Sequence, residues 1–161
     1  WLQETLLASD APFKIIISPT PLIGPDDAYK KDNHTNPGGF QFEQQQIFKW
    51  LVENDFQSQD LYFMCGDRHW QYHSRNELGF EEFGSGALVD QNARSGRMPG
   101  DPKSTDPEGK IEQIFVQKEP TGGFVQVTVK PNPSPNITFE IKDERGELLH
   151  AVQYKAETKI L

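Results

Sequence analysis

The sequence predicts an α/β fold that closes in antiparallel β-structure, on three observations. A helix-like start leads into a β-branched run, an amphipathic stretch over residues 40–54 separates two apolar strands, and the last third alternates apolar and polar residues between turn signals. In chain order, Leu2, Leu6 and Trp1 fall on one face of residues 1–7, yet no capping residue precedes them and there is no initiating Met. The chain therefore reads as entered mid-helix, part of a longer protein. Ser9, Asp10 and Pro12 make a turn, and residues 13–18, with Ile15, Ile16 and Ile17, read as a buried strand. A polar, Pro- and Gly-rich loop over 26–39 follows, in the place beyond a strand where α/β proteins set their sites. Residues 40–54 are the clearest helix, with Phe40, Ile47, Phe48, Trp50 and Leu51 as its apolar stripe and Glu43 near its start.

Residues 60–65 are nearly all apolar, as expected of a strand covered on both faces, and lead directly into Gly66-Asp67-Arg68-His69. Strand structure around residues 79–83 is expected to run into a Gly84-Ser85-Gly86 turn, and 92–109 reads as a surface loop. Strands over 124–129 and 137–141 and the run 148–154, separated by turns at 132–135 and 143–146, form a closing meander. The expected division is an α/β part over 1–90, a loop over 91–110 and a β-meander over 111–161.

Composition narrows the function classes. With 16 Lys and Arg against 24 Asp and Glu, the 161 residues carry a net charge of −8, and no basic run suits bulk binding to nucleic acid. No apolar run is long enough to span a membrane. The single cysteine, Cys65, excludes an intrachain disulfide and a Cys-based zinc finger, and it reads as a core thiol rather than a nucleophile. His150 reads as an ordinary sheet histidine.

Chemistry concentrates in Gly66-Asp67-Arg68-His69. Asp67 and His69, two residues apart just past a buried strand, can turn to one side of an extended backbone, and Gly66 lets the chain bend closely around an ion. A carboxylate oxygen with an imidazole nitrogen suits Zn, Fe or Mn, and such mixed sites serve two-metal hydrolysis. The alternative is that Asp67 caps a turn and His69 is a plain loop residue.

Residues 1–9, the run 13–22, Asp32-Asn33-His34, the helix beginning Phe42-Glu43, and Cys65-Gly66-Asp67-Arg68-His69-Trp70, taken in this order and spacing, resemble the C-terminal half of the PhoD-like alkaline phosphatases of the calcineurin-like metallophosphoesterase superfamily. The resemblance implies a two-sheet sandwich with flanking helices and a dinuclear site (Fe and Ca, or Zn or Mn) at the strand ends, to which Asp67 and His69 each give a ligand. It further implies phosphate-ester hydrolysis by a periplasmic or secreted parent enzyme. The superfamily's early ligand motifs are not found here, so the site is expected to be incomplete without an N-terminal half. Within that reading Arg68 is a candidate phosphate clamp, Asn33, His34 and Trp70 are candidates for binding substrate, and His73 for protonating a leaving group. Asn33 reads equally well as part of an Asx turn. The competing class is a non-catalytic β-rich binding or accessory domain.

Overall fold

The structure is a computed structural model that describes residues 1–131 and 133–156; Asn132 of the expected 132–135 turn and residues 157–161 of the expected meander lie outside it. It has α1 (Leu2–Ala8), β1 (Lys14–Ser18), α2 (Gln41–Glu53), β2 (Leu61–Cys65), β3 (Gln71–Arg75), β4 (Glu81–Ser85), β5 (Glu112–Val116), β6 (Gly123–Lys130), β7 (Asn136–Asp143) and β8 (Leu148–Lys155). One sheet has the order β1-β2-β4-β3-β5 and the other β6-β7-β8. β1, β2 and β4 run parallel, whereas β3 is antiparallel to both β4 and β5. The chain is thus mixed α/β and ends in antiparallel strands. β5, expected within the meander, joins the first sheet instead.

Strand alternation explains the layering. Leu61 and Phe63 of β2 face α1 and α2, where they pack with Leu6, Phe48, Leu51 and Phe80. Tyr62 faces the other way, with Phe83 of β4, onto Ile137 and Phe139 of β7. Phe83 and Phe139 stack with centroids 4.1 Å apart across the sheets. β2 therefore needs apolar residues on both faces, as its composition predicts. β1 lies at the edge of its sheet, so Ile17 stays 77% exposed instead of buried.

Several local expectations change. Phe40 and Trp1 precede their helices and remain exposed, so neither belongs to an apolar stripe. Gly84 lies inside β4 rather than in a turn, because the Tyr72 ring occupies the space of its missing side chain: a Cβ there would sit 2.3 Å from Tyr72 Cε1. Residues 71–75, to which the sequence assigns no element, form β3.

The loop after β1 is fixed by a buried carboxylate. Glu82 of β4 accepts backbone N–H bonds from Leu22 (2.7 Å), Ile23 (3.2 Å) and Gly24 (2.9 Å) and the Tyr72 hydroxyl at 2.8 Å. Burial pushes the Glu82 pKa up, and these donors oppose the shift. The loop that continues toward Asp26 and Asp32 is thereby tied to the central strand β4.

Candidate metal half-site

Gly66 leaves β2 with its N–H toward the Ser18 carbonyl at 3.4 Å, so the candidate site begins where β1 and β2 end together. Asp67 follows with φ +62°. That left-handed conformation is uncommon outside glycine, and Asp tolerates it better than most residues because its short side chain bonds locally. The Asp67 side chain is 48% exposed, and one carboxylate oxygen lies 3.0 Å from Arg68 Nη2.

Arg68 is turned inward and only 1% exposed. Its Nε lies 2.8 Å from Asp26 Oδ2, a close charge contact whose N–H does not point at the oxygen, and its Nη2 also reaches Asp32 Oδ1 at 3.3 Å. Burial pushes the Asp26 carboxyl up to about 6 against the pull of Arg68. For the mostly exposed Asp32, burial pushes the carboxyl up, but the charge and hydrogen bond of Arg68, a backbone bond and Lys30 together lower its pKa. Arg68 therefore binds three carboxylates and is not presented as a clamp for a phosphate. It fixes the oxygen of Asp67 that it touches and leaves the other free.

His69 is fixed from its far side. Its Nδ1 donates to the Asn92 carbonyl, which makes Nε2 the nitrogen with a free lone pair. A ring N–H given to a backbone carbonyl is the usual support of a metal-binding histidine. The donor chemistry fits a divalent or trivalent ion: one oriented carboxylate oxygen and one oriented imidazole nitrogen, two residues apart. Among the described residues no group of three or more His, Cys, Asp or Glu is disposed to hold a metal. Cavities of about 570, 600 and 350 Å³ lie elsewhere, and none is lined by Asp67 or His69.

The other candidates are dispersed. Asn33 is buried, and its Oδ1 accepts from the N–H and hydroxyl of Thr35 at 3.0 and 2.8 Å, which is an Asx turn. His34 lies between the Thr20 hydroxyl (3.1 Å) and Glu43 (2.8 Å) on the loop beyond β1. Trp70 is a core residue 4% exposed, with its indole packed where a side chain at Gly96 would stand. His73 lies in mid-strand, stacked on Phe83 at 4.2 Å, and points between the sheets rather than to the strand ends.

There His73 Nε2 donates to Glu81 at 2.8 Å and its Nδ1 accepts from His150 Nε2 at 3.1 Å; Glu81 also accepts from Arg75 at 2.8 Å and from the Tyr154 hydroxyl. Burial pushes the Glu81 carboxyl up, but the bonds from His73, Tyr154 and Arg75 outweigh it and hold the pKa at about 2 against 4.5. A carboxyl whose folded pKa is depressed stabilises above its unfolded value and loses that contribution as it protonates. Stability is therefore expected to fall as the pH drops from 4.5 toward 2. Urea melts of Glu81→Gln check this: the variant should lose most of that slope, and an undiminished slope would assign the acid lability to other groups.

Asp26 and the Asn92 carbonyl are the parts sequence reading missed. Asp26 had a weak signal in the Asp26-Asp27 pair of the polar loop. A backbone carbonyl 23 positions from His69 has none.

No protein-family model and no curated protein matches the chain. Among solved structures, that of PhoD is similar in fold, with a TM-score of 0.64 and 12% identity over 98% of this chain and 32% of that one. The likeness is one of fold, and this chain spans less than two-thirds of the length of its neighbour.

Proposed function

We propose that this chain supplies Asp67 and His69 to a dinuclear metal centre that hydrolyses phosphate esters, and that the remaining ligands come from polypeptide outside these 161 residues, in a periplasmic or secreted parent enzyme. The observation that carries the reading is the pair itself: two donors past the end of β2, each oriented by a second group, Arg68 for Asp67 and the Asn92 carbonyl for His69. The fold likeness to PhoD supports the same class of chemistry by analogy. Oxygen and imidazole donors suit Fe with Ca, or Zn or Mn.

When bound, such ions neutralise charge on the ester and lower the pKa of an attacking water. The chain's own residues contribute orientation. His69 is turned by its Nδ1 bond to the Asn92 carbonyl, which leaves Nε2 as the ring nitrogen to ligate. Arg68 fixes the Asp67 carboxylate and is a positioning residue, its charge already matched by Asp26 and Asp32. With His73 between the sheets, Trp70 in the core and Asn33 in an Asx turn, His34 is the candidate left on the loop beyond β1 to meet a substrate.

The test is hydrolysis of p-nitrophenyl phosphate and bis(p-nitrophenyl) phosphate by the gene's full-length product and by the 161-residue chain, each supplied with Fe, Ca, Zn or Mn. Turnover is expected from the full-length product and none above background from the chain alone, because two ligands leave an ion mostly hydrated. Robust turnover by the chain alone would overturn the shared site. Silence of both with every metal would favour the accessory-domain reading.

A further inference from the structure

A metallophosphatase must hold an ester with two or more negative oxygens, and the residue suggested by sequence for that task, Arg68, is buried and engaged by carboxylates. The other cations around the half-site are mostly committed too. Arg97 pairs with Asp27 and, at 3.3 Å, with Asp101, while Lys30 acts on Asp26 and Asp32.

Arg94 differs. Its backbone is held at both ends: its N–H donates to the His69 carbonyl at 2.8 Å, and its own carbonyl accepts from Gln117 Nε2 at 3.1 Å. Gln117 is only 5% exposed, and its Oε1 takes the Gln71 N–H at 3.0 Å, so the tie runs into the start of β3. Two residues before, the Asn92 carbonyl receives His69 Nδ1. Two residues after, Gly96 packs against Trp70 so closely that a Cβ would lie 2.5 Å from Trp70 Cδ1. Residues 92–96 are thus stapled along residues 69–71, yet the Arg94 side chain in their middle is exposed and has no hydrogen-bond or ion-pair partner among the described residues. The Arg94 backbone is thus held beside that of a candidate ligand, and no ion pair or hydrogen bond among the described residues uses the charge of its guanidinium, which is free to turn toward a bound anion.

We propose that Arg94 binds the phosphoryl group of the substrate, its planar fork taking two oxygens of the ester or of product phosphate beside His69. This rests on the metallophosphatase reading above. A charge-assisted pair of this kind contributes about tenfold to a hundredfold in affinity.

The test uses the full-length, metal-loaded enzyme. Arg94→Ala should raise KM for p-nitrophenyl phosphate and weaken inorganic phosphate, titrated calorimetrically and as a competitive inhibitor, by about tenfold or more, with metal content unchanged. Arg94→Lys should restore part of the phosphate affinity, as a point charge replaces the fork. Lys49→Ala, which removes a cation from the exposed face of α2, should change neither value. Unchanged phosphate affinity in Arg94→Ala, equal weakening in Lys49→Ala, or loss of metal from Arg94→Ala would each overturn the assignment. If His69→Ala is inactive and Arg94→Ala binds phosphate normally, only the role of Arg94 fails; a fully active His69→Ala defeats the underlying reading instead.

Discussion

Arg68→Ala is expected to lower the free energy of unfolding by about 3–5 kcal/mol, because it leaves one partner of a buried ion pair without its counter-charge. That partner is Asp26, which is fully buried, while Asp32 and Asp67 are exposed enough for water to compensate them. The deficit should grow with pH. Asp26 already has its pKa raised to about 6 by burial, so its contribution to stability is present below its unfolded value of 3.8 and is lost as pH rises through 6. Removing Arg68 raises that pKa further and extends the loss to higher pH. Urea unfolding at pH 5 and pH 8 measures both effects. The double variant Arg68→Met with Asp26→Leu should recover most of the stability, since neither charge then needs a partner. A single variant as stable as the parent at pH 8 would show that Arg68 does not hold this loop.

His69→Ala carries the largest functional effect. Disturbing the groups that merely orient a metal ligand costs about 10–100-fold, so under the proposed function loss of His69 should reduce phosphate-ester turnover in the full-length product by at least about 100-fold. Stability should change little, since His69 is half-buried and its one side-chain bond goes to a loop carbonyl. That contrast separates the two variants: Arg68→Ala is chiefly a folding defect and His69→Ala chiefly a chemical one. Wild-type turnover in a folded His69→Ala protein would remove His69 from the site.

What the sequence made legible follows from how strongly each residue's neighbours are local. β2 could be read because a strand between helices and a second sheet must be apolar on both sides, and Tyr62 and Phe63 serve those two sides separately. α2 could be read from its spacing, although Phe40 at its start packs against His34 instead of the core. β3 was hidden because three of its four buried residues are polar: Gln71, His73 and Ser74 bond to partners up to 77 positions away, such as His150, which no local pattern can announce. The same reason explains Arg68 and His73. Each looked like site chemistry because a charged or titratable residue next to a candidate ligand suggests function, and only the three-dimensional placement of Asp26 and Glu81 shows where the charge goes. Asp67 and His69 stood out as neighbours in the sequence, but the groups that orient them come from residues 68 and 92, and the second lies beyond any motif.

The most direct measurement is metal stoichiometry, by inductively coupled plasma mass spectrometry, of the full-length product and of its Asp67→Ala and His69→Ala variants purified in parallel. The shared dinuclear site predicts two ions per chain in the parent and the loss of at least one in either variant, with circular dichroism unchanged. Equal metal content in all three folded proteins would contradict the assignment of Asp67 and His69 as ligands.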